Sequence, residues 1–187
     1  MRNWTPQQAE EELRFCNSYS RLPTLLEIAR QMDERDWLAL LGQSWEVCDN
    51  VGEHLELLLA SPFGDRLGGG AITEMMNADE QAAYDALPSV VTVYRGCYKS
   101  NKWGFCWSLD RNVAQRFPTF IRYRQNGQPL LVKAEAKKQD IAAVKLGRNE
   151  LEIITHRPKH ISTSFIREQA GTEFVPENGA VWLKTNY

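Results

Sequence analysis

Hydrophobic positions in the first half of the chain recur at intervals of three and four residues, which is the period of an α-helix. The recurring positions are Leu25, Ile28, Ala29 and Met32, followed by the run from Trp37 to Cys48. Side chains at this spacing share one face of a helix, so we expect several helices to pack on one another. A groove that binds a partner is the alternative use of the same apolar faces. The pattern predicts a helical N-terminal subdomain over residues 1–88.

Local capping signals predict where some of these helices begin. Thr5-Pro6-Gln7-Gln8 combines an N-cap, a proline at the first helical position and a capping-box glutamine, and it predicts a helix that runs to about Tyr19. Asn77-Ala78-Asp79-Glu80 predicts another helix capped in the same way. Between them, Ser61-Pro62-Phe63-Gly64 and Gly68-Gly69-Gly70 break the helical period and predict a loop.

The pattern becomes mostly β from residue 89 onward, with short runs rich in β-branched and aromatic residues. The predicted strands are Val90–Tyr94, Phe105–Leu109, Ile121–Arg124, Leu130–Ala134, Ile141–Leu146 and Leu151–Thr155. Asn126-Gly127 predicts a hairpin turn before the Leu130 strand, and Asp110 predicts the cap of a short helix that ends at Phe117. Because strands and helices do not alternate regularly, the sequence favours an α+β fold over a doubly wound parallel sheet.

Composition and charge restrict the possible function classes. The chain has 187 residues, 43% of them hydrophobic and 25% charged, which is typical of a soluble protein that folds as one unit. It has no apolar run of the roughly 20 residues that cross a bilayer, and its N-terminus lacks a secretory signal, so we expect a cytoplasmic protein without a membrane partner. The formal net charge of -2 does not indicate nucleic-acid binding. The cysteines form no CxxC pair, so we expect reduced thiols.

Two of the predicted strands carry polar residues that could form a binding site. Arg95 follows the first strand and can hold a phosphate through charge-assisted hydrogen bonds, while Gly96 after it would let the chain turn and a ligand approach. An ordinary surface arginine is the alternative. On the second strand, Cys106 and Ser108 share one face, and Trp107 points to the opposite face.

Two carboxylates lie two residues apart on the last predicted strand. Because alternate residues of a strand share a side, Glu150 and Glu152 are expected to project together, while Leu151 and Ile153 face the core. Two like charges held close together cost stability unless solvent, a cation or a bound ligand offsets them, and their pKa values are pushed apart. Active sites commonly contain such pairs. The alternative is the solvent-exposed face of a half-buried strand.

Three segments in this order resemble the R-S-E signature of arginine-specific ADP-ribosyltransferases, including the small versions encoded by bacteriophages and bacterial toxins. They are Val93-Tyr94-Arg95-Gly96, Phe105-Cys106-Trp107-Ser108-Leu109-Asp110 and Asn149-Glu150-Leu151-Glu152-Ile153-Ile154. The similarity covers roughly residues 89–160. The family's middle motif is Ser-x-Ser or Ser-x-Thr, and here Cys106 stands in the first place while Ser108 keeps the last hydroxyl.

This resemblance implies an NAD-binding core over residues 89–187, built as a split β-sandwich whose two small sheets hold NAD⁺ between them. It identifies Glu152 as the catalytic glutamate and Glu150 as the first carboxylate of the E-x-E motif that accompanies arginine modification. By charge, Glu152 stabilises the oxocarbenium-like ribose, and Glu150 helps to make the acceptor arginine a neutral nucleophile. Ser108, with Cys106, orients Glu152.

The same resemblance implies the cofactor-binding residues. Arg95, with Gly96, holds the diphosphate of NAD⁺. Tyr94 lies next to this arginine in the first motif, although it and Trp107 could equally be ordinary core aromatics. Phe117 belongs to a segment, Val113-Ala114-Gln115-Arg116-Phe117, that resembles the family's A-x-x-F helix.

The implied function is mono-ADP-ribosyl transfer from NAD⁺ to a protein side chain, an arginine, with release of nicotinamide. NAD is a co-substrate and no metal takes part, because His156 and His160 are separated by Pro158 and have no evident third ligand. Two alternatives remain open. An NAD glycohydrolase needs only Glu152 and water, and a noncatalytic binding protein with a degenerate transferase fold would explain Cys106 and the long helical part.

Overall fold

The computed structural model describes residues 3–49, 51–147 and 151–166, and within these ranges it combines seven α-helices with six β-strands. The helices are α1 (Pro6–Leu13), α2 (Arg21–Ile28), α3 (Glu34–Ser44), α4 (Leu55–Leu59), α5 (Pro62–Arg66), α6 (Ala78–Asp85) and α7 (Arg111–Arg116). The strands are β1 (Val90–Cys97), β2 (Cys106–Ser108), β3 (Leu130–Lys137), β4 (Ile141–Lys145), β5 (Glu152–Thr155) and β6 (Lys159–Phe165). The α+β class predicted from the sequence is confirmed.

The predicted helix caps are confirmed as well. The Thr5 side chain accepts from the Gln8 backbone N–H at 3.3 Å, and the Gln8 side chain accepts from the Thr5 N–H at 3.1 Å. Asn77 caps α6 in the same reciprocal way. However, α1 ends at Leu13 and does not reach Tyr19. The Asn17 side chain accepts a hydrogen bond from the backbone N–H of Tyr19, and this bond stabilises a local turn in place of a helix.

The sequence predictions for two further segments, Ser61–Gly64 and Ile121–Arg124, are also wrong. The Ser61-Pro62-Phe63-Gly64 stretch belongs to α5, since Ser61 caps that helix, Pro62 occupies its first turn and Phe63 is fully buried. Ile121–Arg124 is not a strand. Ile121–Tyr123 forms a 3-10 turn whose Tyr123 ring packs against Phe117 at 5.7 Å, so these residues pack locally and do not pair with a neighbouring strand.

The six described strands form one antiparallel sheet in the order β4-β5-β2-β1-β3-β6. β1 pairs with β3 along its whole length, from Val90↔Lys137 to Cys97↔Leu130. In contrast, β1 and β2 meet at one register pair, Tyr94↔Ser108. The resemblance implied two separate small sheets, and this expectation is wrong. The Tyr94↔Ser108 pair joins two three-stranded halves into one hydrogen-bonded sheet.

The edge strand β6 has no counterpart among the sequence predictions. It pairs with β3 and contains the Ser162-Thr163-Ser164 stretch, and all of its residues are exposed. Because neither face of β6 is buried, its sequence lacks the alternation of apolar and polar residues by which strands are recognised.

One hydrophobic core lies between the helices and one face of the sheet, and a second core lies on the other face of the sheet. Trp45 and Phe63 from the helical part pack against Phe105 beside β2, with ring centroids 6.5 Å and 5.1 Å from it. A buried ion pair joins Lys145 of β4 to Glu80 of α6 at 2.9 Å. These contacts hold the helical part against the sheet. In the ranges that the structure covers, no helix is both long and apolar enough to cross a membrane.

Candidate active site

A cleft of about 600 Å³ lies between the helical part and the junction of β1 and β2. The described residues that the sequence analysis assigned to the site all line it, namely Tyr94, Arg95, Gly96, Cys106, Ser108, Phe117 and Glu152. Ligand pockets in proteins commonly measure about 300–1,000 Å³. The cleft is therefore large enough for an extended small molecule.

Three of these residues form a row across three neighbouring strands. Ser108 of β2 is the register partner of Tyr94 on β1 and of Glu152 on β5. Register partners in antiparallel strands project from the same face of the sheet. Cys106 lies two residues before Ser108 and shares this face, whereas Trp107 packs in the second core, on the opposite side. The predicted orientation of these β2 side chains is confirmed.

The Glu152 carboxylate is held by a donor from the helical part. The indole Nε1 of Trp45 donates a hydrogen bond to Oε1 of Glu152 at 3.1 Å. Burial, and then the charge of Glu152, raise the pKa of the Cys106 thiol well above its ordinary value, and a hydrogen bond to Glu152 acts in the same direction. Cys106 is thus a protonated donor at neutral pH, and its partner is the glutamate.

The segment before β5 does not follow the predicted alternation. Leu151 was expected to face the core, but it is 43% exposed and has a φ of 43°. Its backbone is held in this left-handed conformation by the hydrogen bond from Leu109 N–H to the Leu151 carbonyl at 3.1 Å. β5 begins at Glu152, and from there Ile153 is buried as predicted. Glu150 lies outside the described residues.

Arg95 organises the chain between β1 and β2. Its guanidinium donates to the Cys106 carbonyl at 2.6 Å and to the Asn101 carbonyl at 3.3 and 3.4 Å. It also lies directly against Gly104, where an added Cβ would approach Nη2 to 2.8 Å. Arg95 therefore positions the backbone of β2 while it lines the cleft.

Gly96 is required by packing. β1 continues through it to Cys97, so the turn expected at this glycine is wrong. A Cβ at position 96 would overlap the Ala114 carbonyl oxygen of α7 and lie 2.7 Å from Cδ of Pro118. The glycine thus allows α7 and the following turn to pack directly on β1.

The helical wall of the cleft was missed by the sequence analysis. Glu46 accepts from the Gly147 backbone N–H at 2.8 Å, which ties the helical part to the segment before β5. Asp49 accepts from the Tyr123 hydroxyl at 3.2 Å and lies 3.4 Å from Nη1 of Arg122. The helical part therefore contacts both the segment before Glu152 and the turn after α7.

No signal in the sequence pattern could have identified these wall residues. Trp45 fits the apolar helical period and is indistinguishable from an ordinary core residue, and Glu46 and Asp49 follow it as common polar residues. Their contacts with Glu152, Gly147 and Tyr123 join positions far apart along the chain, so only the tertiary packing reveals them.

His156 and His160 make structural contacts. His156 packs against Phe105 with centroids 5.3 Å apart, and burial followed by the charge of Arg157 lowers its pKa. His160 lies 5.9 Å from the Trp103 ring, and its Nε2 is 2.9 Å from the Thr163 hydroxyl. Among the residues that the structure covers, no three His, Cys, Asp or Glu side chains lie together as a metal site would require.

No protein-family model, curated protein or solved structure matches this chain. The geometry itself combines a carboxylate that accepts hydrogen bonds from Trp45 and Cys106, a guanidinium two strands away and aromatic walls. A carboxylate held in this way can stabilise a developing positive charge, and the guanidinium can bind an anionic group.

Proposed function

We propose that the protein binds NAD⁺ in this cleft, breaks its nicotinamide–ribose bond and transfers ADP-ribose to a protein side chain, an arginine. The observation that carries this proposal is the row of Tyr94, Ser108 and Glu152 across three strands, with Arg95 in the same cleft. Residues distant in the sequence, which match the R-S-E signature in order, thus line one cavity.

The proposed chemistry follows from charge. The electron pair of the C1′–N bond leaves with nicotinamide, and the ribose becomes an oxocarbenium-like cation. The Glu152 carboxylate, bonded to a ribose hydroxyl, stabilises this cation. The acceptor guanidinium nitrogen then forms the new bond to C1′ and gives up a proton, which Glu150 accepts in this proposal. Arg95 binds the diphosphate.

The environment of Glu152 supports its assigned role. Hydrogen bonds from Trp45 and Cys106 favour the ionised carboxylate, which is the form that faces a cation. The raised pKa of Cys106 argues against a nucleophilic cysteine, because the thiolate is the reactive form.

The pairing of the strands leaves room for the cleft at the centre of the single sheet. β1 and β3 share eight register pairs, but β1 and β2 share one, so the two halves can diverge on either side of Tyr94 and Ser108. The cleft lies at this junction. A dinucleotide bound there needs no Rossmann glycine motif.

The proposed location is the cytoplasm, a reducing compartment. All four cysteines of the chain are free, and none is paired in a disulfide. Reduced thiols are the norm in cytoplasmic proteins.

The test is to incubate the purified protein with NAD⁺ labelled in its adenylate and with a cell lysate. Label on a protein supports transfer, free labelled ADP-ribose shows hydrolysis, and neither product would indicate a noncatalytic binding protein.

We expect Glu152→Gln to lower nicotinamide release by about 10²–10³-fold while the fold stays intact. Glu135→Gln is the control, because Glu135 is on β3 and does not line the cleft. More than half of the wild-type activity in folded Glu152→Gln would contradict the assignment.

A further inference from the structure

The helical part reaches the glutamate strand through a buried aromatic side chain. Trp45 is 2% exposed, and its indole Nε1 lies 3.1 Å from Oε1 of Glu152. It opens the 3-10 turn Trp45–Val47 that follows α3. The contact therefore crosses the boundary between the helices and the sheet.

Packing fixes the direction of this N–H group. The Trp45 ring lies 5.8 Å from the Phe63 ring and 6.5 Å from the Phe105 ring. Phe63 and Phe105 pack edge to face on each other at 5.1 Å, and both are buried. Since a rotation of the indole would displace these rings, its N–H is preorganised toward Glu152.

The Cys106 thiol is a weaker donor to Glu152 than the Trp45 indole. Cys106 offers a thiol, and a thiol is a poor hydrogen-bond donor compared with an indole N–H or a hydroxyl. A carboxylate that must face a developing cation has to be held within a narrow range of orientations. A strong donor to Glu152 thus comes from the helical part.

We propose that Trp45 is a positioning residue for Glu152, and that its indole N–H supplies the orienting hydrogen bond that the Cys106 thiol supplies only weakly. The helical part thereby completes the catalytic site. This inference rests on the proposed function for the role of Glu152, but the hydrogen bond itself can be tested without NAD⁺.

Trp45→Phe keeps an aromatic ring in the cluster and removes the N–H. We expect kcat for nicotinamide release to fall about tenfold with little change in KM, because the carboxylate loses orientation in the transition state more than in substrate binding. The acid limb of the pH profile should move to higher pH, since a lost donor disfavours ionised Glu152. The charged and titratable groups that face Glu152 are all kept in this variant, namely Cys106 on β2, Arg95 on β1, Lys145 on β4 and Glu46 in the helical part. Cys106 loses its own hydrogen bond from Trp45, which lowers the pKa of the thiol in the wild type.

Trp37→Phe is the matched control. Trp37 is fully buried in the same helical core, and its Nε1 donates to the Leu25 carbonyl at 2.7 Å, away from the cleft. Both variants lose one buried indole hydrogen bond, so a merely structural role would lower the activity of both to the same degree. We expect Trp37→Phe to lose stability and to keep the wild-type kcat and pH profile.

Rescue at Cys106 gives a second readout. Cys106→Ser places a stronger donor beside the glutamate, so it should restore most of the kcat lost in Trp45→Phe. If Trp45→Phe fails to fold, site-specific incorporation of benzothienylalanine at position 45 replaces the N–H with sulfur in a ring of nearly the same shape. A folded variant of either kind with wild-type kcat and an unchanged acid limb would overturn the proposal.

Ionisation of Glu152 is measured separately by ¹³C-NMR titration without NAD⁺, with its signal assigned by comparison with Glu152→Gln. A higher pKa in Trp45→Phe than in wild type supports the hydrogen bond, and an unchanged value overturns it. If the wild type released no nicotinamide, the proposed function would fail, while the titration would still decide whether Trp45 holds the carboxylate.

Discussion

At the residue scale, Cys106 shows how its surroundings determine the chemistry of a side chain. It is half-buried in the cleft, yet burial and the charge of Glu152 both raise the pKa of its thiol. The charge of Arg95 opposes them but ranks below both. The thiol therefore stays protonated and donates to the carboxylate.

Cys106→Ser should preserve NAD⁺ cleavage or raise it, because a hydroxyl donates a stronger hydrogen bond to Glu152 than a thiol does. The rate of nicotinamide release by purified wild type and variant measures this effect. Complete loss of activity in folded Cys106→Ser would point to a nucleophilic cysteine and a different reaction.

Glu150→Gln should separate the two proposed activities. An acceptor arginine brings a positive charge and a proton to a centre that is itself becoming positive, and water brings neither. We therefore expect transfer to protein to stop while substantial hydrolysis to free ADP-ribose remains.

Nicotinamide release and protein labelling, measured in parallel, check this separation. Labelling of protein at the wild-type rate would make Glu150 an ordinary surface residue. Simultaneous loss of both activities would show that the two glutamates do not serve separate steps.

At the scale of elements, the cleft depends on the close approach of α7 to β1. Asp110 caps α7 by accepting from the backbone N–H of Asn112 and Val113, as the sequence predicts. The helix then leads directly into the turn that carries Phe117 and Pro118 along the cleft. Without a side chain at Gly96, the Ala114 carbonyl can lie directly over β1.

Gly96→Ala should lower the free energy of unfolding by about 1–3 kcal/mol, since the new Cβ overlaps backbone that cannot move without shifting α7. Urea denaturation measures the change. Gly52→Ala is the control, because Gly52 lines the same cleft and a Cβ there would meet nothing within 4 Å. Equal stability of the two variants would show that the close approach is absent in solution.

At the scale of the whole molecule, the shared core couples the helical part to the sheet. The contacts between them are made by the rings of Trp45, Phe63 and Phe105 and by the Lys145–Glu80 ion pair.

Thiols are buried in both the helical part and the sheet. Burial raises the pKa of Cys48 to about 11, and burial is also the main cause of the raised pKa values of Cys97 and Cys106.

These thiols predict a loss of stability at alkaline pH. Their pKa values in the folded protein lie above the ordinary value of 9.0, so the folded state retains protons that the unfolded chain releases. The stabilisation is fully present below about pH 9 and is lost as the pH rises toward the folded-state values. Urea midpoints between pH 7.5 and 10.5, under reducing conditions, measure the decline.

A Cys48→Ala, Cys97→Ala variant is the control for the alkaline effect. It should show a shallower decline, because two of the raised thiols are absent. A residual slope is expected from Cys106 and from Tyr84, whose pKa is also raised mainly by burial. A variant that declines as steeply as the wild type would exclude Cys48 and Cys97 as the cause.

Several features of this protein follow from the sequence by itself, because they depend on neighbours within a few residues. The caps at Thr5, Asn77 and Asp110 are made by side chains that bond backbone groups two or three positions away. The shared face of Cys106 and Ser108 follows from the two-residue period of a strand. The same local logic predicted most strands and the α+β class.

Local rules failed where a residue's environment comes from another part of the chain. Tyr123 packs on Phe117 and donates a hydrogen bond to Asp49, so Ile121–Tyr123 forms a 3-10 turn although its sequence is typical of a strand. Leu151 leaves the strand period at the residue before β5, and its backbone is held by Leu109. Such competition between local preference and tertiary contacts cannot be read from periodicity.

The cleft combines both kinds of determinant. The order of Arg95, Ser108 and Glu152 and the face on which each strand residue projects are properties of the sequence. Only the tertiary structure decided that β2 lies between β1 and β5, and that Trp45 reaches Glu152 from the helical part. The physical reason is that strand pairing and ring packing join residues remote in the chain, and their energies depend on the whole core and not on any local stretch.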